Sequence, residues 1–286
     1  MGVIIRQGPV YLALGRRGCS TARRSRVSNA SARSSMGHAV VLDYESQTAR
    51  ATFQGLTRRR FWAQGFVHIE GTSRMMKLYS YFRSSAAYRA RIALNLKGLD
   101  YEIVPIHLVK DGGQHKRTDY RAINPQMRVP ALRLPSGDVL IQSLAIIEYL
   151  EEIAPNPPLL PANPVTRAHA RAIALIVACD IHPLNNSGTL AYVRGPLEQQ
   201  DHAVNAWYAH WIVTGLEAIE AMIAPGPYAF GDQVTVADLC IVPQLANARR
   251  FNVPIQQFPR LLGVEAACQQ LEAFDRARPE RQPDAE

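Results

Sequence analysis

The sequence lacks closely spaced cysteines and long apolar stretches. Its four cysteines, Cys19, Cys179, Cys240 and Cys268, form no CxxC pair, which argues against a zinc cluster or a disulfide framework and is typical of a reducing compartment. No segment approaches the ~20 consecutive apolar residues of a membrane helix. We therefore expect a cytoplasmic protein with no metal site and no membrane partner, and 286 residues suffice for one large or two modest domains.

Excess positive charge is absent from most of the chain. The formal net charge is +8, but residues 1–75 hold 12 arginines, no lysine and three acidic residues, whereas residues 76–286 hold 20 basic and 21 acidic residues. The remainder shows no basic, aromatic-interleaved surface of the kind that binds nucleic acid. We expect no nucleic-acid partner.

Residues 1–75 also lack a lasting hydrophobic period of 2 or 3.6, so we predict a disordered, basic leader. Met75 and Met76 come directly before the first well-patterned strand. Our leading hypothesis is that the natural protein begins at Met75 or Met76 and that the leader is an artefact of an upstream start assignment. A targeting peptide is the alternative, because residues 16–35 are rich in Arg and Ser and contain no acid.

Residues 76–158 alternate between strand and helix patterns. The predicted strands are 77–81, 101–106, 131–134 and 139–141, and the predicted helices are 85–97 and 144–153, with a short helix within 110–120. This order predicts a small α/β sheet with helices on its faces. The proline-rich residues 154–164 indicate a domain boundary, because proline removes backbone donors and breaks helices.

Residues 163–284 have helical patterns. Mostly three- and four-residue steps join the apolar residues of one predicted stripe: Val204, Trp207, Trp211, Leu216, Ile219 and Ile223. Thr235 and Asp238 predict the N-capping box of another helix. These are folding signals and carry no chemistry.

The most informative segment, 78–94 (LYSYFRSSAAYRARIAL), predicts a strand that runs into a helix with two serines at the joint. Ser84 and Ser85 stand where helix N-caps belong. A helix N-terminus has free amide groups and partial positive charge, so two hydroxyls there suit an anion such as a thiolate or a carboxylate. Capping alone is the alternative role of these serines.

Several separated strings resemble the zeta-class glutathione transferases, the maleylacetoacetate isomerases. The strings are SSAAYRARIAL (84–94), NPQMRVPAL (124–132), QSLAIIEYLEE (142–152), IHPLNN (181–186) and ADLCIVPQ (237–244). The resemblance covers about residues 76–284 and implies the cytosolic glutathione transferase fold. That fold has an α/β thioredoxin-like domain, here 76–158, and an all-α domain, here 163–284, and the family is usually a homodimer.

The resemblance also implies a glutathione site. Its implied residues are Ser84, Ser85, Ala86, His115, Val129, Pro130, Gln142, Ser143, His182 and Asn186. The Val129–Pro130 bond would be cis and would turn the Val129 backbone toward the bound peptide. At a second helix start, Ser143 and the first-turn amides would hold the γ-glutamyl carboxylate.

The implied reaction is the cis–trans isomerisation of maleylacetoacetate to fumarylacetoacetate, in tyrosine and phenylalanine catabolism, with glutathione as a regenerated cofactor. Ser84, helped by Ser85, would favour the glutathione thiolate. Arg83 and Arg250 would bind the small dicarboxylic oxo-acid substrate. The chain departs from the family at Ala86, where many members have Cys. We expect Ala86 to be tolerated, because glutathione supplies the sulfur.

Three alternatives stay open from the sequence. The first is an isomerase of another cis-enedioyl acid, such as maleylpyruvate. The second is a general glutathione transferase that conjugates electrophiles or dehalogenates α-haloacids. The third is a non-catalytic binding protein, against which Ser84, Gln142 and Ser143 argue.

Overall fold

The structure, a computed structural model, describes residues 75–286. The predictions of a disordered leader, of a start artefact and of a targeting peptide concern residues 1–74 and lie outside the described residues.

One mixed sheet organises the first part of the described chain. Its strands are β1 (Met76–Ser80), β2 (Tyr101–Pro105), β3 (Ala131–Arg133) and β4 (Val139–Ile141). The strand order is β2-β1-β3-β4; β1 is parallel to β2 and antiparallel to β3, and β3 and β4 form an antiparallel hairpin. The predicted strands agree with these bounds to within one residue at each end.

Helices pack on this sheet in the predicted β-α-β-α-β-β-α order. They are α1 (Ser85–Leu96), α2 (Thr118–Ile123) and α3 (Ser143–Ile153), and two 3-10 turns, Lys110–Gly112 and Gln114–Lys116, precede α2. Helix α1 is almost entirely buried. This burial explains why its sequence is rich in alanine, which lets neighbouring elements approach closely.

The rest of the described chain is helical. Its helices are α4 (Pro164–Leu175), α5 (His182–Asn185), α6 (Ser187–Arg194), α7 (Asp201–Met222), α8 (Val236–Arg250), α9 (Pro259–Cys268) and α10 (Glu272–Ala277). A π-helical segment, Ile176–Ile181, joins α4 to α5, and a 3-10 turn, Pro279–Arg281, follows α10. The capping box of α8 is confirmed, because the Asp238 carboxylate accepts from the Thr235 N–H at 2.7 Å.

A single hydrophobic cluster joins the sheet-bearing part to the helical part. Helix α1 packs against α3 on one side and against α8 and α10 on the other. Because this packing is continuous, the domain limits 76–158 and 163–284 stay a prediction. No helix formed by residues 75–286 is long and apolar enough to cross a membrane.

The predicted stripe on α7 is partly wrong. The helix buries Val204, Tyr208, Ile212, Leu216 and Ile219. Trp207 and Trp211 are only half-buried, and the Trp207 indole N–H donates to the Leu184 carbonyl at 2.7 Å. Trp207 precedes the buried Tyr208, and Trp211 precedes the buried Ile212. Steps of three or four residues fit more than one stripe of a helix, and the pattern therefore selected positions that lie 100° from the buried ones.

Candidate active site

A cavity of about 480 Å³ lies where the loop between β1 and α1 faces α5 and the end of α8. Eight of the predicted site residues line it: Arg83, Ser84, Ser85, His115, Val129, His182, Asn186 and Arg250. Four do not: Ala86, Pro130, Gln142 and Ser143. A second cavity of about 820 Å³ adjoins it and shares Arg83, Ser85, Asn247 and Arg250.

Ser84 is the N-cap of α1, as the sequence predicts. Its Oγ accepts a hydrogen bond from the Ala87 N–H at 3.2 Å, and its backbone is extended. A serine hydroxyl has one hydrogen to donate besides its acceptor positions. Capping uses an acceptor position, so the half-buried Ser84 retains its hydrogen for a group in the cavity.

Ser85, the first residue of α1, is buried and bonded across the cavity. Its Oγ lies 3.0 Å from Nδ1 of His182 on α5. Burial, together with the positive charges of Arg89, Arg128 and Arg250, lowers the pKa of His182 to about 3. His182 is therefore neutral near pH 7, and the Ser85–His182 contact is an uncharged hydrogen bond.

Helix α3 begins one residue before its predicted range of 144–153. Ser143 is the first residue of α3, and Gln142 precedes it with φ of 71° and no side-chain cap. A non-glycine residue rarely adopts this left-handed conformation, which is enriched at functional sites. The Gln142 side chain donates to Oε1 of Gln126, a cavity-lining residue, at 2.7 Å.

Ser143 is buried and lies against Arg89, a fully buried arginine of α1. The Arg89 Nη1 donates to the Ser143 Oγ at 3.4 Å. Its Nε and Nη2 atoms make no hydrogen bond with any described residue. Burial lowers the pKa of Arg89. The Arg89 guanidinium thus lies beneath the start of α3.

The Val129–Pro130 peptide bond is cis, as predicted. Val129 is buried, with 8% of its surface exposed, and lines the cavity. His115 lies in the loop between β2 and α2 and lines the same cavity. Gly113 allows His115 to take this position, because a Cβ atom added at Gly113 (φ of 99°) would lie only 2.6 Å from the His115 Cε1 atom and would clash with it.

The cavity wall is cationic. Arg83, Lys116, Arg128 and Arg250 line it, and none of the described residues that line it is an aspartate or a glutamate. The Arg250 Nη1 donates to the Arg83 carbonyl at 3.4 Å. The adjacent Arg249 differs, because the buried carboxylate of Glu265 binds its guanidinium and raises its pKa. Of this arginine pair, only Arg250 is left for an anion in the cavity.

Asn186 lines the cavity, but its side chain also caps α6. Its Oδ1 accepts from the Gly188 and Thr189 N–H groups at 2.9 and 3.1 Å, and its Nδ2 donates to the Pro183 carbonyl at 2.7 Å. The adjacent Asn185 is buried, and neither polar atom of its side chain bonds a described residue. Asn185, Lys116 and Arg128 were missed from the sequence. Asn185 stands within the IHPLNN string and Arg128 within the NPQMRVPAL string, which gave a signal for these two but not for Lys116.

Ala86 is half-buried in the first turn of α1, behind the serines. The three cysteines of the described chain, Cys179, Cys240 and Cys268, are free thiols. Residues 75–286 contain no group of three or more His, Cys, Asp or Glu side chains placed to hold a metal ion.

Family models match both parts of this structure. Residues 78–158 match the glutathione S-transferase N-terminal domain, and residues 201–267 match the C-terminal domain. A maleylacetoacetate isomerase of Pseudomonas aeruginosa is 48% identical over 211 residues, which are 73% of this chain and 98% of that protein.

Solved structures agree. A holo maleylpyruvate isomerase, described as a bacterial zeta-class glutathione S-transferase, is 48% identical, with a TM-score of 0.71 over 73% of this chain and 100% of that one. A maleylacetoacetate isomerase of Anaeromyxobacter dehalogenans 2CP-1 with dicarboxyethyl glutathione and citrate in its active site is 37% identical, with a TM-score of 0.66 over 74% of this chain and 94% of that one. The chain therefore belongs to the glutathione S-transferase family, in its zeta class.

Proposed function

We propose that this chain is a glutathione-dependent isomerase that converts maleylacetoacetate to fumarylacetoacetate. One observation carries the proposal: the Ser84 hydroxyl at the N-terminus of α1 opens into a cavity whose wall has four cationic side chains and, among the described residues, no carboxylate. Such a cavity suits two anions together, a thiolate at the serine and a dianionic acid at the arginines.

The residues fit glutathione as the cofactor. The cavity volume of about 480 Å³ lies within the usual range of small-molecule sites. The buried Asn185 amide lacks a partner among residues 75–286 and lines this cavity, so a peptide can supply its hydrogen bonds. We propose that Ser84, Ser85, His115, Val129, His182 and Asn186 form the peptide site, with Asn185 added, and that Gln142 and Ser143 hold the γ-glutamyl end.

Bound glutathione supplies a thiolate, which adds to the cis double bond of the substrate and leaves after the bond has rotated. Ser84 donates its free hydrogen to the sulfur and favours the ionised form, assisted by the partial positive charge of the α1 N-terminus. Neutral His182 holds Ser85 by the 3.0 Å hydrogen bond. Ala86 carries no reactive atom, and this chemistry requires none there.

Arg250 and Arg83 bind the carboxylates of the substrate and stabilise the negative charge that moves onto its carbonyl oxygen. Both side chains are exposed at the cavity, and neither forms an ion pair with a residue in 75–286. The dicarboxyethyl glutathione bound by the relative from Anaeromyxobacter supports this pairing, since it joins a dicarboxylic chain to glutathione.

A maleylpyruvate isomerase is the second candidate, because the maleylpyruvate relative is as similar in sequence as the maleylacetoacetate one. Both substrates are cis-enedioyl acids and require the same thiolate and cationic wall. The ratio of kcat/KM for the two acids distinguishes these candidates.

The experiment follows maleylacetoacetate by ultraviolet absorbance with and without glutathione and measures the glutathione recovered at the end. We expect turnover only with glutathione, and full recovery of the thiol. Consumption of glutathione would identify a conjugating or dehalogenating transferase instead, and no turnover with either acid would refute the isomerase.

We further propose a cytoplasmic homodimer. Exposed apolar side chains at the ends of α3 and α4 support an assembly, namely Ile153, Val165 and Leu175. The free thiols support a reducing compartment. Light scattering after size-exclusion chromatography tests the dimer, and a monomer at micromolar concentration would refute it.

A further inference from the structure

The loop between β1 and α1 carries both Arg83 and Ser84, and its backbone is held from outside the loop. The loop is short, since β1 ends at Ser80 and α1 begins at Ser85. Within it, the Ser84 N–H donates to the Tyr81 carbonyl at 2.9 Å. The orientation of Arg83 and Ser84 toward the cavity therefore depends on what fixes the two residues before them.

On one side, the buried Arg91 of α1 binds the loop carbonyls. Its Nη2 donates to the Phe82 carbonyl at 3.1 Å, and its Nη1 donates to the Ser80 Oγ at 3.0 Å. Its Nε donates to the Ala277 carbonyl, at the end of α10, at 2.9 Å. Arg91 thus connects the loop to the segment that follows α10.

On the other side, Asp284 binds the loop amide. Its Oδ2 accepts from the Phe82 N–H at 3.0 Å, across 202 positions of sequence. Its Oδ1 is buried and has no hydrogen-bond partner among the described residues, and no Lys, Arg or His of residues 75–286 forms an ion pair with it. A carboxylate bound to a backbone N–H forms a charge-assisted hydrogen bond, stronger than a neutral one.

Asp284 is held in place by its own segment. The Gln282 side chain is buried and donates to the Arg276 and Arg278 carbonyls at 2.9 and 2.7 Å. Beyond Asp284, the Glu286 carboxylate pairs with Lys110 and lies 3.6 Å from His107 Nε2, in the loop that also carries His115. The segment 282–286 therefore contacts two of the loops that line the cavity.

We propose that Asp284 is a positioning residue for this active site: by fixing the Phe82 peptide, it directs Arg83 to the substrate and Ser84 to the glutathione sulfur. Asp284 lines neither cavity and touches no reacting group. The part of this inference that concerns the KM for the acid rests on the proposed function. The effect of Asp284 on the pKa of the bound glutathione thiol can be measured without turnover.

The test uses the full chain with Asp284→Ala and Asp284→Asn. Asp275→Ala and Asp275→Asn are the matched controls, because Asp275 also lies in this part of the chain but forms surface ion pairs with Arg278 and Arg281. Two readouts are compared between the variants. The first is whether the substitution changes the KM for the acid or changes kcat, and the second is the pKa of the bound glutathione thiol, read from thiolate absorbance.

We expect Asp284→Ala to raise the KM about tenfold or the bound-thiol pKa by about one unit, the usual loss when a charge-assisted hydrogen bond is removed. Asp284→Asn retains an acceptor for the Phe82 N–H and should recover most of the loss. If Asp284→Ala folds, a wild-type bound-thiol pKa with an unchanged KM overturns the proposal. If it does not fold, Asp284→Asn, whose acceptor is uncharged, should still have a higher KM or bound-thiol pKa than Asp275→Asn, and equal values overturn the proposal. A lower unfolding temperature alone, with both quantities unchanged, also overturns it.

If wild type shows no isomerisation, the proposed function fails while the bound-thiol titration still tests Asp284 through Ser84. A rise in that pKa for Asp284→Ala, absent from Asp275→Ala, supports the positioning role independently of the substrate. An equal pKa in the two proteins refutes it.

Discussion

Helices α1 and α3 both begin beside a serine, yet their first turns are arranged differently. At α1, Ser84 caps the helix, is half-buried and lines the cavity. At α3, Ser143 is buried inside the helix, contacts the Arg89 guanidinium and does not line the cavity. The same signature of serine at a helix start thus yields one hydroxyl that lines the cavity and another that is enclosed by packing.

The difference comes from what packs behind each helix start. Ser84 itself has an extended backbone and lines the cavity, and its hydroxyl accepts the capping hydrogen bond while keeping a hydrogen to donate. Ser143 follows Gln142 in a left-handed conformation and lies over the buried Arg89 guanidinium. A helix terminus binds anions in either case, but only an accessible donor changes the reactivity of what is bound.

The largest expected effect is that of Ser84→Ala. Removal of the hydroxyl that donates to the glutathione thiolate should lower kcat by about 100-fold, as removal of a single oxyanion-hole donor does. The loss of the cap also lowers stability by about 1 kcal/mol. Asn163→Ala is the control, because Asn163 caps α4 through the Val165 and Thr166 amides, away from the cavity. A kcat equal in Ser84→Ala and Asn163→Ala would remove α1 from the mechanism.

Next in size is the pH dependence of His182→Gln. The folded pKa of about 3 lies below the ordinary value of 6.5, so the unfolded chain binds a proton that the folded chain does not as pH falls from 6.5 to 3. Stability is therefore lost in that window, by about 2 kcal/mol at pH 5. His182→Gln should lose this part of the pH dependence in urea unfolding, whereas the exposed control His169→Gln should retain it.

A smaller effect is expected from Ser143→Ala. If the α3 start only binds glutathione, the Kd of glutathione rises by about tenfold while kcat at saturation stays within about twofold of wild type. Calorimetry and saturation kinetics measure the two numbers. A large loss of kcat with unchanged affinity would reverse the proposed roles of the two helix starts.

The smallest effect is expected from Ser85→Ala. Ser85 is buried and its Oγ already bonds His182, so we expect a fall in kcat of only about threefold, the loss of one neutral hydrogen bond. Steady-state kinetics of Ser84→Ala and Ser85→Ala, run side by side, decide this point. A greater loss at Ser85 would make it the principal donor to sulfur.

Local patterns predict the elements well where sequence and packing agree. The strand before Arg83, the helix after it, the cis Val129–Pro130 bond and the capping box at Thr235 follow from residue type and spacing or from the family strings. Long-range arrangement is harder to predict. Neither the displaced stripe of α7 nor the π-helical segment before His182 has a local signal, because neighbouring helices decide which side of a helix is buried.

The site, like the fold, could be predicted from the sequence only in part. From the sequence, Arg250 could be chosen over Arg249 only by resemblance. The physical reason for the choice is that Glu265 of α9 forms an ion pair with Arg249, and this contact is visible only in the fold. The positions of His115 and His182 on one cavity also follow from the fold. Arg128 and Asn185 were missed although both stand in family strings, because nothing local separates them from the other residues of those strings. The predicted catalytic and binding roles stay predictions.

The most direct test of the central claim, that the start of α1 ionises the glutathione thiol, is a pH titration of thiolate absorbance in the glutathione complexes of wild type and Ser84→Ala. The account predicts that wild type lowers the bound-thiol pKa below the ordinary value of ~8.5 and that Ser84→Ala returns it by about one unit or more. Equal bound-thiol pKa values in the two complexes, with glutathione bound to both, would contradict the account.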